Sequence, residues 1–306
     1  MQEVFMPRGT IIKALSGFYY VKTAEKIVQC RARGKFRLDG MTPLVGDHVV
    51  IIEDQNGEGR LEEILPRKNS FIRPAVANID VMVFIAANTN PIADPFLIDR
   101  VSVISEYAGC ETVICINKTD IDSGEELYSI YEKCGFKVIS TSALTGSGIY
   151  ELKGILKGKI SAFTGNSGVG KSSILNSISP DLNLKVDDVS DKLGRGKHTT
   201  RHVELHNIGE DTYIADTPGF ASFDVDMIAG IEKEDLPSCF PEFRPHLGKC
   251  RFDDCYHINE PDCSILRALA DGEIPESRHQ SYVRLFEVAK NRKDWENKNR
   301  TKSGRK

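Results

Sequence analysis

Over the first 70 residues apolar positions alternate with polar ones in short runs, broken by Gly, Asp and Asn-Gly turns. The runs Gly9 to Leu15, Gly17 to Thr23, Lys26 to Arg33 and Asp47 to Glu53 read as strands of a small all-β unit. Pro43-Leu-Val-Gly-Asp47 followed by Val49-Val-Ile-Ile52 resembles the corner and strand of an oligonucleotide-binding (OB) barrel. From about residue 71 the texture changes. Ile79 to Ala87 is a near-continuous apolar run of the kind buried on both faces, and Phe96 to Ala108 has helical spacing. Strands at Thr112 to Ile116, Phe136 to Ser140, Lys159 to Phe163 and Thr212 to Ala215 then alternate with helices near Glu125 to Lys133 and Gly148 to Leu156. That alternation predicts a parallel sheet covered by helices. The expected organisation is an OB-type β-barrel over 1–70, an α/β domain over 71–223, and a cysteine-bearing helical extension over 224–306.

Chemistry enters with Gly165-Asn166-Ser167-Gly168-Val169-Gly170-Lys171-Ser172, which follows an apolar strand and precedes the helical pattern from Ser173 to Ile178. Glycines at this spacing let backbone N–H groups wrap nucleotide phosphates. The helix N-terminus favours negative charge, Lys171 reaches the β- and γ-phosphates, and Ser172 can ligate Mg²⁺. Asp216-Thr-Pro-Gly219 ends a second apolar strand; Asp216 is placed to hold Mg²⁺ through water, and the Gly219 N–H to bond the γ-phosphate. Asn117-Lys118-Thr-Asp120 stands at the carboxyl end of its strand, where open α/β sheets present ligand-binding residues. Its Asp120 carboxylate can accept from the N1–H and amine of guanine, which adenine lacks, while the stem of Lys118 covers the ring. Ser142-Ala143-Leu144 has the form of the remaining guanine loop, the Ala143 N–H meeting the guanine carbonyl. The reader thus precedes the phosphate loop, the reverse of ordinary GTPase order, so the motifs are circularly permuted. Closed α/β domains tolerate this because chain termini lie at the surface.

Hydrophobic residues make up 40% and charged residues 27% of the chain, with no apolar run of about 18 residues. Residues 1–17 lack the pattern of a secretory signal, so a cytoplasmic protein is expected, with no membrane partner; a monomer is expected as well. Cys30, Cys110, Cys115, Cys134 and Cys239 are scattered and read as small apolar residues. Cys250, Cys255, His257 and Cys263 share one short polar stretch, giving either a closed tetrahedral zinc site or unmetallated thiols. The net charge of -4 hides a local bias: residues 290–306 carry eight basic side chains against Asp294 and Glu296. That end is either a solvated tail or a phosphate-backbone contact. Arg31, Arg33, Lys35 and Arg37 would share one face of an uninterrupted strand, again a solvated face or a track for a nucleic-acid backbone.

The permuted order, Gly194-Arg-Gly-Lys-His-Thr-Thr-Arg201, the N-terminal barrel and the cysteine spacing together resemble the RsgA family, also called YjeQ or YloQ, over nearly the whole chain. The resemblance implies a GTPase that binds the small ribosomal subunit, with its 16S rRNA, late in its maturation, using Mg²⁺ with GTP and one structural zinc. It places Thr199 or Thr200, with Thr200 preferred, on Mg²⁺ and the γ-phosphate. Phe220 stands where many GTPases carry a water-orienting glutamine, so slow hydrolysis and stimulation by a partner are expected. By the same resemblance His198 supplies the missing group; a turn or RNA-contacting role is its alternative. The rival for the whole chain is a nucleotide-gated ribosomal RNA-binding scaffold in which hydrolysis is incidental.

Overall fold

The computed structural model describes residues 6–34, 36, 40–54, 57–72, 74–184, 203–216 and 230–303, with the backbone alone at 216 and 291–303. The chain forms two compact units, one of residues 1–83, 150–164 and 171–221, the other of residues 84–149, 165–170 and 222–306.

The first unit opens with β1 (Arg8–Leu15), β2 (Phe18–Thr23), β3 (Ile27–Ala32), β4 (His48–Glu53) and β5 (Gly59–Ile64). They pair in the order β1-β2-β3-β5-β4, and β4 returns to β1, so the barrel is closed and has no free edge. Period-two alternation sends Ile11, Val21, Val28, Cys30, Val49, Ile51 and Leu61 inward. Gly59 is required by close approach, since a Cβ there would lie 2.3 Å from Cys30 Sγ. The strand β5 escapes a reading of periodicity because Arg60, Glu62 and Glu63 dominate its six residues. The expected row of four cations does not form as one strand face: β3 ends at Ala32, and Gly34 and Phe36 are helical. Arg31 stacks over Phe18 at 4.7 Å and Arg33 pairs with Glu62, while Lys35 and Arg37 lie outside the described residues.

Beyond the barrel come β6 (Ser70–Phe71), β7 (Val76–Ala77), β8 (Val81–Ala87), α1 (Pro95–Tyr107), β9 (Glu111–Asn117), α2 (Glu125–Lys133), β10 (Lys137–Ser140), α3 (Ile149–Leu156), β11 (Ile160–Thr164), α4 (Lys171–Ile178), β12 (Glu204–Asn207) and β13 (Tyr213–Asp216). The short β6–β7 ribbon folds back on the barrel, where Ala77 N–H donates to Val45 O at 2.8 Å and Asn78 Nδ2 to Gly46 O at 2.9 Å. Within the first unit β11 and β13 are parallel, β12 runs antiparallel to β13, and β12 meets β1 at Glu204 and Lys13. The Lys13–Glu204 ion pair, 2.7 Å, stands at that junction.

The second unit holds β9 and β10 in parallel register, with Ile114 opposite Val138. Every residue of β8 is buried, as are six of the seven in β9, the burial that parallel strands covered on both faces require. Asp94 caps α1 by accepting from the Phe96 N–H at 3.0 Å, with Pro95 at the first helical position. After two 3₁₀ turns at Leu236–Cys239 and Pro241–His246 come α5 (Ser264–Ala270) and α6 (Glu276–Ser303), so the described part of the basic end, to Ser303, continues a helix.

Helical spacing over Phe96 to Ala108 does not show what α1 carries. Asp99, Ser102 and Ser105 are fully buried on it. Arg278 of α6, itself fully buried, donates to Asp99 Oδ1 at 2.7 Å, Ser102 Oγ at 3.1 Å and Glu242 Oε1 at 2.7 Å. Burial opposes its charge, but Asp99 and Glu242 together outweigh burial and hold its pKa well above the ordinary arginine value. The guanidinium lies 4.7 Å from the Phe240 ring, 5.2 Å from Phe136 and 5.8 Å from Tyr131, and Phe240, Phe243 and Tyr282 pack against one another with centroids 5.0–5.4 Å apart. Arg278 thereby ties α6 to α1 and to the 3₁₀ turn that carries Glu242.

Candidate guanine-nucleotide site and cysteine cluster

The phosphate loop lies between β11, all five residues of which are buried, and α4. Its glycines are demanded by geometry. Gly165 has φ +141°, and a Cβ there would lie 2.2 Å from Ile85 O; Gly170 has φ +94°, and a Cβ would lie 2.4 Å from Asn117 Nδ2. Val169 is buried, Gly168 has φ +78°, and Asn166 and Ser167 complete the turn. Lys171, Ser172 and Ser173 form the first turn of α4, where the N–H groups of a helix start and the helix dipole favour phosphate. Burial lowers the Lys171 pKa to about 8.

This sets a pH dependence. A lysine at about 8 in the free protein is pulled back to its charged form by bound phosphate, so binding above that pH must take up a proton. GDP affinity is therefore expected to hold from pH 7 to 8 and then to fall, by up to about tenfold per unit, as pH rises. Calorimetric titrations in buffers of different ionisation enthalpy will register the uptake; pH-independent affinity up to 8.8 would refute it.

The end of β9 is the hub of the site. Asn117, 2% exposed, donates from Nδ2 to Val169 O at 2.8 Å, and its Oδ1 accepts from the Ala143 N–H at 3.2 Å and the Thr141 hydroxyl at 3.4 Å. One amide thus joins the phosphate loop, its own loop and the Ser142 loop. The Ser142 hydroxyl donates to Asp120 Oδ1 at 2.5 Å, fixing the carboxylate, and Thr119 donates to Thr141 O through both N–H and hydroxyl at 3.1 and 2.9 Å. Lys118 is held in the left-handed region at φ +65° and donates from Nζ to Asn90 O at 2.7 Å. Thr141, Asn88 and Asn90 are the participants that motif reading missed; for Thr141 the only signal is its place beside Ser142.

Of the remaining predicted residues, Asp216 ends β13, whose parallel pairing with β11 sets its backbone at the strand ends from which the phosphate loop departs. His198, Thr199, Thr200 and Gly219 lie outside the described residues.

Cys250, Cys255, His257 and Cys263 do converge, their ligand atoms all within 4.8 Å of one another. Cys250 Sγ is 3.8 Å from Cys263 Sγ, and His257 Nδ1 is 3.5 Å from both. Zinc bonds of about 2.3 Å to sulfur and about 2.0–2.1 Å to nitrogen give tetrahedral edges of about 3.8 and 3.5 Å. The donor set and spacing therefore fit one four-coordinate zinc. His279 Nε2 lies 2.8 Å from His257 O, and Tyr282 donates to Tyr256 O at 2.7 Å, so α6 braces the loop that presents the imidazole. The other five cysteines are buried as expected, and burial pushes the thiols of Cys30 and Cys115 up to about 12 and that of Cys239 to about 11, leaving them unreactive.

A phosphate loop between strand and helix, joined by Asn117 to a guanine reader that precedes it in the chain, defines a P-loop GTPase with permuted motifs. Family models agree: one described as RsgA GTPase matches residues 64–226, and one described as RsgA N-terminal domain matches residues 8–61. The chain is 44% identical over 295 residues to the small ribosomal subunit biogenesis GTPase RsgA of Caldanaerobacter subterraneus subsp. tengcongensis, covering 95% of this chain and 99% of the relative. It is 45% identical to the protein of that name from Bacillus cereus, covering 94% and 99%. Among solved structures, YjeQ from Thermotoga maritima matches with TM-score 0.79 at 37% identity, covering 93% of this chain and 99% of that one. YloQ, described as a circularly permuted GTPase, matches with TM-score 0.79 at 36% identity, covering 95% and 98%. The chain belongs to the RsgA GTPase family.

Proposed function

We propose that the protein hydrolyses GTP to GDP and phosphate under stimulation by the small ribosomal subunit, acting in late maturation of that subunit in the cytoplasm. The observation that carries this reading is near-full-length identity of 44–45% to proteins named small ribosomal subunit biogenesis GTPase. In the proposed site Asp120 accepts from guanine N1–H and the amine, Lys118 covers the ring, and Asn117 holds the base-reading and phosphate-binding loops at fixed separation. The N–H groups of Gly165 to Gly170 wrap the phosphates, Lys171 neutralises them, and Ser172, Ser173 and the start of α4 complete the cradle.

The hydroxyls of Ser172 and Thr200 and the Asp216 carboxylate are hard oxygen donors that would hold Mg²⁺, the hydroxyls directly and Asp216 through water. When bound, the ion supplies neutralisation of charge between the β- and γ-phosphates. Thr200 or Thr199 and the Gly219 N–H sense the γ-phosphate, and His198 positions the attacking water that Phe220 cannot orient. One zinc on Cys250, Cys255, His257 and Cys263 has no open position and serves structure. The flanking parts, 1–70 and 224–306, grip 16S rRNA in the GTP state, and hydrolysis loosens the grip. The working form is a monomer.

Two results are expected. Binding of the chain to purified small subunits should be tighter by tenfold or more with a non-hydrolysable GTP analogue than with GDP, an order set by typical coupling energies of about 1–3 kcal/mol. Equal affinities would refute the switch and favour a scaffold. His198→Ala should leave GTP affinity intact and lower subunit-stimulated turnover by about 10²-fold or more, the scale of losing a positioned group; unchanged stimulated turnover removes the catalytic role.

A further inference from the structure

We infer that Asn88 and Asp122, which neither motif contains, are positioning residues for guanine: the loop after β8 clamps the turn that carries Lys118 and Asp120 at both of its ends. The inference rests on the guanine reading proposed above and extends it.

The reader is a tight turn rather than an extended loop. Ile121 N–H and Asp122 N–H both donate back to Lys118 O, at 2.9 and 3.2 Å, so Asp120 sits at the turn's crest. A carboxylate on a turn discriminates guanine only when its direction is fixed beforehand. The near end of the turn is held by the Lys118 Nζ contact to Asn90 O at 2.7 Å, which stretches the lysine stem toward the loop after β8. The far end is held by Asp122, whose Oδ1 accepts from Asn88 Nδ2 and from the Gly124 N–H, both at 2.9 Å. The Asn88 bond and the Gly124 bond also lower the Asp122 pKa, so this anchor stays ionised at physiological pH.

The clamping loop is itself built in. Asn88 and Asn90 follow the fully buried β8, Ala93 N–H closes the loop on Ala87 O at 2.9 Å, and Asp94 starts α1. Pro91 stands against the phosphate loop, close enough that a Cβ on Gly168 would meet its Cδ at 3.4 Å. Gly124 is equally constrained: at φ +65° a Cβ there would lie 2.6 Å from Ile116 Cγ2 and 3.6 Å from Asn88 Cβ. Asn88 therefore has backbone beneath it and the reader turn beside it, and its amide has a defined task.

The full-length protein is tested with GDP and with inosine diphosphate, which lacks the exocyclic amine that Asp120 reads. Asn88→Ala and Asp122→Ala should each weaken GDP binding by about three- to tenfold, the worth of one ordinary hydrogen bond. Each should also narrow the preference for GDP over inosine diphosphate, without lowering the thermal unfolding midpoint. The double variant should be no weaker than the weaker single one. A GDP preference that stays unchanged while affinity or stability falls assigns the pair a merely structural role and overturns the inference. Asp120→Asn supplies the separate control: an amide should turn the preference toward xanthosine diphosphate, whose C2 carbonyl accepts what the amide donates. If that switch fails, the guanine reading is at fault; if it succeeds while Asn88 and Asp122 leave selectivity untouched, the clamp alone is wrong.

Discussion

Arg278→Ala is expected to destabilise the protein by about 3–5 kcal/mol, the cost of breaking a buried ion network by removing one partner. Asp99 and Glu242 would be left without their cation in a site where all three side chains are almost wholly inaccessible. Asp99 already has one oxygen, Oδ2, with no hydrogen-bond partner, so it has little to fall back on beyond the Tyr131 hydroxyl at 2.8 Å. Chemical denaturation followed by circular dichroism will measure the loss. Removing all three charges together, as Arg278→Met with Asp99→Asn and Glu242→Gln, should recover much of it, because the penalty lies in the stranded charges more than in the lost attraction. A single variant within about 1 kcal/mol of the parent would show that Arg278 is not the tie between α1 and the C-terminal part.

Stripping the metal from the cysteine cluster should have the second large effect. Apparent zinc affinities in small closed sites correspond to about 10–16 kcal/mol, and that energy is folding energy where few apolar side chains are available. Residues 246–263 have few: Arg251, Asp253 and Asp254 are exposed, and the cluster is held otherwise by Ser264, His279 and Tyr282. One equivalent of zinc should be released to a strong chelator, and hydrogen exchange should then rise across residues 246–263 while the amides of β8, β9 and β11 keep their protection. Unchanged protection after complete metal removal would contradict a structural role.

Much of this was legible because the decisive residues are tied to local chemistry. Gly165 and Gly170 stand where no side chain fits, and the motif spacing alone marks Asn117, whose amide meets Val169 O, as a residue to look for beside the phosphate loop. Uniform burial of parallel strands leaves an unmistakable apolar run such as Val81–Ala87. What stayed hidden depends on partners distant in sequence. Arg278 meets Asp99 across 179 positions, and Asn88 meets Asp122 across 34, with no periodicity to announce either. The strand Gly59–Ile64 is concealed by its outward charges, and the condition for a single cationic face from Arg31 to Arg37, an uninterrupted strand, is not met because β3 ends at Ala32.

The central claim is that permuted motifs assemble a guanine-specific hydrolase answering to the small ribosomal subunit. Steady-state release of phosphate from GTP and from ATP, with Mg²⁺ and with or without purified small subunits, tests it most directly. The account predicts slow turnover of GTP alone, stimulation of about 10-fold or more by the subunits on the scale of partner-assisted GTPases, and no comparable turnover of ATP. Equal rates with and without subunits, or equal use of ATP, would contradict it.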